Sequence, residues 1–225
     1  MSFADKKLSE IAISIPGSTA LLREYDLDFC CGGADTLGAA VAEKNLNLAE
    51  IEARLTELQN SKKQDDEQRW LTAPYADIIE HIIHRYHERH KQQLSELFVL
   101  AERVESVHGD RDDCPIGIAA EIQNIYSDLT SHMMKEEQIL FPMIKMGNYA
   151  MARMPIQVME HEHAEHGEHL DVLKALTNNL TLPADACNTW RALYSGIQEF
   201  MDDLMMHIHT ENNILFPRVI EEGSR

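Results

Sequence analysis

Apolar residues recur at the spacing of an amphipathic helix in four long stretches of the chain. In the first stretch, Ile78, Ile79, Ile82 and Ile83 fall on one face of a helix. The four stretches cover about 75–107, 116–146, 156–178 and 184–221. Connections of the length left between them bring consecutive helices together antiparallel, so the pattern predicts an antiparallel four-helix bundle.

The N-terminal part of the chain carries shorter apolar stripes, which are typical of short helices. Leu48, Ile51 and Leu55 form one of them, and Asp35 or Thr36 is expected to cap the helix before it. The segment 59–69 contains no apolar residue and is the best candidate for a linker. We therefore predict an all-α protein with a boundary near residue 65. A small helical N-terminal domain, residues 1–64, precedes the bundle, residues 65–225.

Prolines predict where the bundle helices are interrupted. Proline clashes with the turn that precedes it. The Phe-Pro pairs in the second and fourth helices should therefore kink or end these helices near Phe141 and Phe216. Gly147 and Pro155 should bracket the connection between the second and third helices.

The formal net charge of −18 changes the range of plausible partners. Nucleic acid and anionic membranes both attract basic surfaces, so we expect neither as a partner. No run of about 18 apolar residues predicts a transmembrane helix. The first residues lack the apolar stretch of a secretory signal, and the four cysteines do not form the pattern of an extracellular disulfide framework. We expect a cytoplasmic protein, and a homodimer is compatible with this picture.

One motif of eleven residues occurs twice, and each copy contains a histidine and a glutamate that can bind metal. The segment from His132 to Pro142 and the segment from His207 to Pro217 both have the sequence His-x3-Glu-x2-Ile-Leu-Phe-Pro. Residues four apart lie above one another on a helix. Each copy therefore points one imidazole and one carboxylate, Glu136 or Glu211, at the same place.

The other two bundle helices each contain a His-x2-His pair. His87 precedes His132 by 45 residues, and His163 precedes His207 by 44 residues. This spacing predicts two helix pairs around a pseudo-twofold axis, with His87 and His163 as the remaining ligands. Spacing alone leaves their neighbours His90 and His166 as alternatives. The remaining histidines are expected at the surface: His81, His84, His108, His161, His169 and His209.

Four imidazoles and two carboxylates that meet inside a bundle favour a site for cations. Buried carboxylates without partners are strongly disfavoured. Six ligands are too many for one tetrahedral zinc ion, but they suit two ions with two histidines each and shared carboxylates. Ligands of this type favour iron or manganese over zinc. The zinc protease motifs are not in register around residues 161–166, and ferritin-type sites use more carboxylates than histidines.

These motifs resemble the hemerythrin-like family, and more closely the di-iron proteins that repair iron centres. The resemblance covers nearly the whole chain, including Cys30-Cys31-Gly-Gly. It implies the ligand set His87, His132, Glu136, His163, His207 and Glu211. It also implies two iron ions per chain, bridged by the two glutamates and compatible with an oxo bridge. A cytoplasmic role in nitrosative and oxidative stress follows from the same resemblance.

The adjacent cysteines, Cys30 and Cys31, are expected in an exposed turn next to Gly32-Gly33. Normal disulfide geometry does not suit neighbouring residues. One interpretation is two small apolar residues in the core of the N-terminal domain. The other is a pair of redox or transfer thiols that accept iron, carry nitric oxide equivalents or contact a partner's cluster. Cys114 and Cys187 have no partner motif and are interpreted as structural.

Three functions are compatible with this sequence. The first is repair of iron–sulfur clusters in damaged partner proteins, by iron handling and reaction with nitric oxide at the di-iron centre. The second is an enzyme that reduces nitric oxide at that centre, where two adjacent metal ions each supply one electron. The third is a hemerythrin-like module that binds or senses oxygen or nitric oxide and does not need Cys30 or Cys31.

Overall fold

A computed structural model describes residues 2–61 and 66–224, with only the backbone described for Asp66 and Glu67. The middle of the predicted linker, including the boundary near residue 65, lies outside these residues. The described residues contain helices and a single isolated bridge between Lys7 and Thr36, but no strand. The prediction of an all-α protein is therefore confirmed.

Four short helices form the N-terminal part. They are α1, Leu8–Ser14; α2, Ser18–Glu24; α3, Leu37–Glu43; and α4, Leu48–Asn60. Thr36 caps α3, because its hydroxyl accepts a hydrogen bond from the backbone N–H of Ala39. Ile51 and Leu55 are fully buried, which confirms that the stripe in α4 faces the core.

Four long helical segments form the bundle, and three of them contain a π-helical turn. A 3₁₀ helix, Asp66–Leu71, precedes them. The first segment consists of α5, Tyr75–His81, a π turn, Ile82–His87, and α6, Glu88–His108. The second consists of α7, Ile118–Lys135, a π turn, Glu136–Leu140, and α8, Phe141–Lys145. The third is α9, Tyr149–Leu176, and the fourth consists of α10, Asn188–His209, a π turn, Thr210–Leu215, and α11, Phe216–Gly223.

The Phe-Pro pairs directly follow the second and third π turns. The turns place Pro142 and Pro217 at the second residue of α8 and α11. Phe141 and Phe216 make the last hydrogen bonds of the π turns, to Glu136 and Glu211, so each proline lies where the hydrogen-bond pattern changes from i−5 to i−4. The helices therefore change their hydrogen-bond pattern at the predicted places and continue beyond them.

Pro155 does not bracket the connection before the third helix, which corrects the sequence prediction. The helix α9 begins at Tyr149, and Pro155 is its seventh residue. Gly147 alone makes the reversal, with a φ of 77° that suits glycine. Twenty-one helical residues follow the proline, so the loss of one backbone hydrogen bond near the helix start is tolerated.

The N-terminal helices pack directly on the bundle. Phe29 and Leu22 belong to the same buried cluster as Met201 and Ile208 of α10. At the rim of this contact Lys174 lies 2.7 Å from Asp26. Every helix in the described part of the chain is too short or too polar to cross a lipid bilayer. The division at residue 65 stays a prediction, and the contacts show that both parts share one core.

Candidate metal centre

The π turns lie where the chain supplies its inward-facing polar side chains. His87 is the last residue of the first π turn, Glu136 is the first of the second, and Glu211 is in the third. His132 and His207 lie in the last α-helical turn before a π turn. A π turn inserts an extra residue and so changes the direction of the side chains that follow, which is why such turns are frequent at functional sites.

The six residues predicted as ligands meet inside the bundle, and they form two groups. In the first group, His87 Nε2 lies 3.2 Å from His207 Nε2 and 3.3 Å from Glu136 Oε2. His207 Nε2 lies 3.5 Å from Glu211 Oε1. All four side chains are buried.

The second group has the same composition and shares both glutamates with the first. His132 Nε2 lies 3.1 Å from His163 Nε2 and 3.4 Å from Glu136 Oε1. His163 Nε2 lies 3.2 Å from Glu211 Oε2. Each carboxylate therefore directs one oxygen toward each group, which is the arrangement of a ligand that bridges two ions.

The unpaired oxygens show that this donor set fits metal ions. All four carboxylate oxygens of Glu136 and Glu211 are buried and have no hydrogen-bond partner among the described residues. Leaving a buried carboxylate without a partner is costly. Two donors about 2.1 Å from one ion lie about 3 Å apart at a right angle, close to the spacing observed in both groups. The geometry and the donor types of the cluster therefore suit a metal site.

Outer hydrogen bonds orient three of the four imidazoles. The Nδ1–H groups of His87 and His132 donate to the carboxylates of Glu137 and Glu162, over 2.8 and 2.9 Å. His163 Nδ1–H donates to Asn212 Oδ1 over 2.8 Å. A proton on Nδ1 leaves the lone pair of Nε2 free to point inward, and acceptors of this kind raise the basicity of a metal-binding histidine.

Without cations, burial and mutual interactions shift the pKa values of the ionisable groups in the cluster. Burial, reinforced by the charge of Glu136, raises the pKa of Glu211 to about 7. Burial opposes a charge on His132 also, but the carboxylate of Glu136 outweighs it and raises the histidine pKa to about 9. Burial and the neighbouring His87 lower the pKa of His207. Burial opposes a charge on Glu136, but His132 and His87 outweigh it and hold the pKa of this carboxylate well below its usual value. Glu211 is therefore the carboxylate whose charge a buried cation would compensate.

His90 and His166 are buried next to the centre but do not belong to either group. The ring of His166 lies 4.9 Å from that of His132, and His90 is hydrogen-bonded to Gln93. Burial lowers the pKa of both, so both are neutral packing partners. His87 and His163 are thus the members of the two pairs that the structure brings into the cluster.

The cysteine loop differs from the exposed turn that the sequence predicted. Cys30 is only 7% exposed and Cys31 is half-buried, because the loop packs against the bundle. Asp28 Oδ1 accepts hydrogen bonds from the backbone N–H groups of both cysteines. The sulfur atoms lie 3.8 Å apart and form no disulfide. The contact with Cys31 and burial raise the pKa of the Cys30 thiol well above its usual value.

His209 and Cys187 have surroundings that the sequence did not predict. His209 is buried, contrary to the surface position expected for it, and its ring contacts Phe29 edge-on at 5.2 Å. Cys187 lies at the N-terminus of α10, 3.3 Å from His108 Nε2. The backbone N–H of Trp190, and after it His108, lower the pKa of Cys187 to about 7. No local motif in the sequence signals either feature, since both depend on the packing of distant helices.

Cys187 is therefore expected to be the thiol that alkylates fastest at neutral pH. The thiolate is the nucleophile, so its rate of reaction with iodoacetamide should rise with pH to half its maximum near pH 7. Mass spectrometry of labelled peptides between pH 5.5 and 9 measures this profile. His108→Ala removes one stabilising contact and should move the midpoint to higher pH. An unchanged midpoint in this variant would contradict the assigned role of His108.

Comparison with known proteins agrees with the geometry. The model of the hemerythrin HHE cation binding domain matches residues 78–219, and that of a domain of unknown function matches residues 4–59. A probable iron-sulfur cluster repair protein of Haemophilus influenzae is 66% identical over 222 residues, which cover 99% of this chain and 100% of that protein. The iron-sulfur cluster repair protein YtfE of Musicola paradisiaca is 55% identical over 220 residues, 98% of each chain. The resemblance predicted from the sequence is confirmed, and the chain belongs to the hemerythrin HHE family, with full-length relatives named iron-sulfur cluster repair proteins.

Proposed function

We propose that this chain is a di-iron protein that repairs iron–sulfur clusters damaged by nitrosative or oxidative stress. The observation that carries the proposal is the pair of buried groups that share both glutamates. The names of the full-length relatives support the repair role. The partners would be damaged iron–sulfur proteins, with nitric oxide or oxygen as small ligands.

The proposed centre holds two iron ions per chain. The proposed ligands are His87 and His207 for one ion, His132 and His163 for the other, and Glu136 and Glu211 for both. Imidazole and carboxylate without thiolate suit iron better than the soft metals that thiolates select. Each ion receives four donors from the chain, so an ion with six positions keeps two for exchangeable ligands. Bound there, iron would supply one-electron chemistry and a store of the metal itself.

The two matched regions of the chain have different proposed roles. We propose residues 1–64 as the cysteine-bearing domain and residues 65–225 as the metal-binding bundle, in agreement with the matches at 4–59 and 78–219. Cys30 and Cys31 are the proposed transfer thiols, because the thiol of Cys31 lies 3.3 Å from the backbone oxygen of the proposed ligand His163. All four cysteines are free, which suits a reducing compartment such as the cytoplasm.

Repair is tested with an iron–sulfur enzyme whose cluster nitric oxide has damaged. Anaerobic incubation with the iron-loaded protein should restore most of its activity within minutes to hours. Glu136→Leu, which removes a shared ligand, should restore little. Glu165→Leu is a suitable control, because this glutamate of α9 is exposed and outside the cluster. No recovery with protein that contains two irons per chain would reject the proposal.

Reduction of nitric oxide is the second candidate, because the two groups lie side by side and share ligands. Two nitric oxide molecules, two electrons and two protons give nitrous oxide and water, and two ferrous ions can supply both electrons. Gas analysis after adding nitric oxide to the reduced protein tests it. Formation of many equivalents of nitrous oxide with a reductant present would favour this activity. If no nitrous oxide forms after many equivalents of nitric oxide are added, the activity is rejected.

A further inference from the structure

The cysteine loop is joined to one half of the metal cluster. The thiol of Cys31 lies 3.3 Å from the backbone carbonyl oxygen of His163, to which it donates. His163 belongs to the second group, with His132. The pseudo-twofold counterpart of this position is His87, and its Nδ1 partner is Glu137 of the bundle itself. The two halves of the cluster thus have different surroundings.

Asn212 makes the connection through its side chain. Its Oδ1 accepts the Nδ1–H of His163 over 2.8 Å, and its Nδ2 donates to the backbone carbonyl of Cys30 over 3.0 Å. One amide group therefore binds a predicted ligand with one end and the cysteine loop with the other. A movement of the loop that pulls or releases the amide must also disturb the orientation of the imidazole.

The repeated motif diverges at this residue. Asn212 follows Glu211 in the second copy, as Glu137 follows Glu136 in the first. Glu137 presents a carboxylate to His87 and lies 3.7 Å from Lys91, and both of these partners belong to the bundle. Replacement of that carboxylate by an amide supplies the N–H donor that the Cys30 carbonyl requires, because a carboxylate can only accept.

Asn213 holds the same loop without touching a predicted ligand. Its Nδ2 donates to the backbone carbonyl of Phe29 over 2.9 Å and lies 2.8 Å from His209 Nδ1. The chain therefore offers two adjacent asparagines that anchor one loop, of which one reaches the cluster. This difference separates the effect of loop anchoring from the effect of contact with His163.

A cavity gives reagents and partners access to the loop. Its volume is about 440 Å³, and both cysteines line it together with Gly167 and Glu168 of α9. The charged groups around it are mixed, with Asp26 and Asp171 next to Lys44 and Lys174. A group attached to Cys31 would occupy this space and break the contact of the thiol with the His163 carbonyl.

We propose that Asn212 couples the state of Cys31 to one metal position, the one between His132 and His163. The inference rests on the two-metal arrangement proposed above. Modification of Cys31 displaces the Cys30 carbonyl, Asn212 loses its anchor, and His163 loses its oriented acceptor. The ion on this side is then released faster, while the ion between His87 and His207 is retained. Asn212 is a positioning residue in this scheme, since it acts through His163.

Release of iron to a chelator tests the coupling. A variant that keeps Cys31 as its only cysteine is loaded with ferrous iron and treated with N-ethylmaleimide, which adds the thiol across its double bond without a leaving group. One iron per chain should then be released about 10–100-fold faster, the usual range for loss of an outer hydrogen-bond partner. Asn212→Ala should give the same fast phase without the reagent, and Asn213→Ala should not.

A double variant shows whether Asn212 and Glu137 act on different metal positions. Glu137→Ala should also accelerate the release of one iron, but the one held by His87. Asn212→Ala combined with Glu137→Ala should release both irons in the fast phase. Iron bound by His163 should also hold the cysteine loop in place through Asn212, so iron loading should slow the reaction of Cys31 with N-ethylmaleimide in the protein with Asn212 and not in Asn212→Ala.

The outcomes of these experiments distinguish a failure of the coupling through Asn212 from a failure of the proposed di-iron centre. Unchanged iron release after modification of Cys31, in protein that holds two irons, would overturn the inference and leave the di-iron centre standing. A fast phase of only one iron in the double variant would also overturn it, because both residues would then act on one position. Failure of the parent protein to bind two irons would reject the proposed centre itself.

Discussion

Glu136→Leu is expected to reduce the iron content of the purified protein from two ions per chain to one or fewer, and Glu211→Leu should do the same. Each glutamate directs one oxygen toward each pair of histidines, so its loss would remove a donor from both of the proposed ions at once. Outer-shell changes alone reduce affinity 10–100-fold, and loss of a shared direct ligand should exceed that range. Metal analysis of protein purified without chelators gives the measurement.

The stability of the metal-free variant distinguishes loss of a ligand from loss of the fold. Without metal, both oxygens of Glu136 are buried and have no hydrogen-bond partner among the described residues, but they lie beside His87 and His132, whose charge they compensate. Removing one partner of a buried pair costs about 3–5 kcal/mol. Metal-free Glu136→Leu should therefore still unfold in one cooperative transition, at a lower temperature than the metal-free parent. Glu165→Leu serves as the control and should keep two irons. Two irons per chain in Glu136→Leu would refute the ligand set.

The repeated motif made most of the bundle and its polar centre predictable. The His-x3-Glu spacing places two side chains on one helical face, and its duplication relates His87 to His163. The four bundle helices begin and end within a few residues of the predicted bounds, except at the start of α9. Local periodicity and internal repetition are properties of the sequence itself, so they do not depend on contacts between distant segments.

The features that could not be predicted from the sequence depend on contacts between distant segments. The three π turns all lie next to the predicted ligands, but only two of them precede a Phe-Pro pair, and no residue pattern common to all three distinguishes them from an α-helical turn. Cys30 is buried because its loop docks against Asn212 and Asn213, which are 182 and more residues away in sequence. The surroundings of His209 have the same origin. Its ring packs against Phe29, a residue of that same loop.

Removal of both proposed metal ions should lower the melting temperature of this protein by about 16–32 °C. An ion that binds only the folded chain adds about 4 kcal/mol when its free concentration is about 1,000 times the Kd. In a chain of this size 1 kcal/mol corresponds to about 2–4 °C, so each ion should contribute about 8–16 °C. Calorimetry or circular dichroism of the iron-loaded and chelated protein, at the same pH and protein concentration, gives the difference.

The cause of this loss lies in the buried charges that remain. Without cations, the cluster keeps two carboxylates whose oxygens have no hydrogen bond among the described residues, and burial raises the pKa of Glu211 to about 7. The same chelator should therefore shift the melting temperature of Glu136→Leu far less than that of the parent, because this variant binds less metal and buries one carboxylate fewer. Equal shifts in both proteins would show that the chelator acts elsewhere. A parent protein that melts at the same temperature with and without iron would contradict a structural contribution of the metal to the bundle.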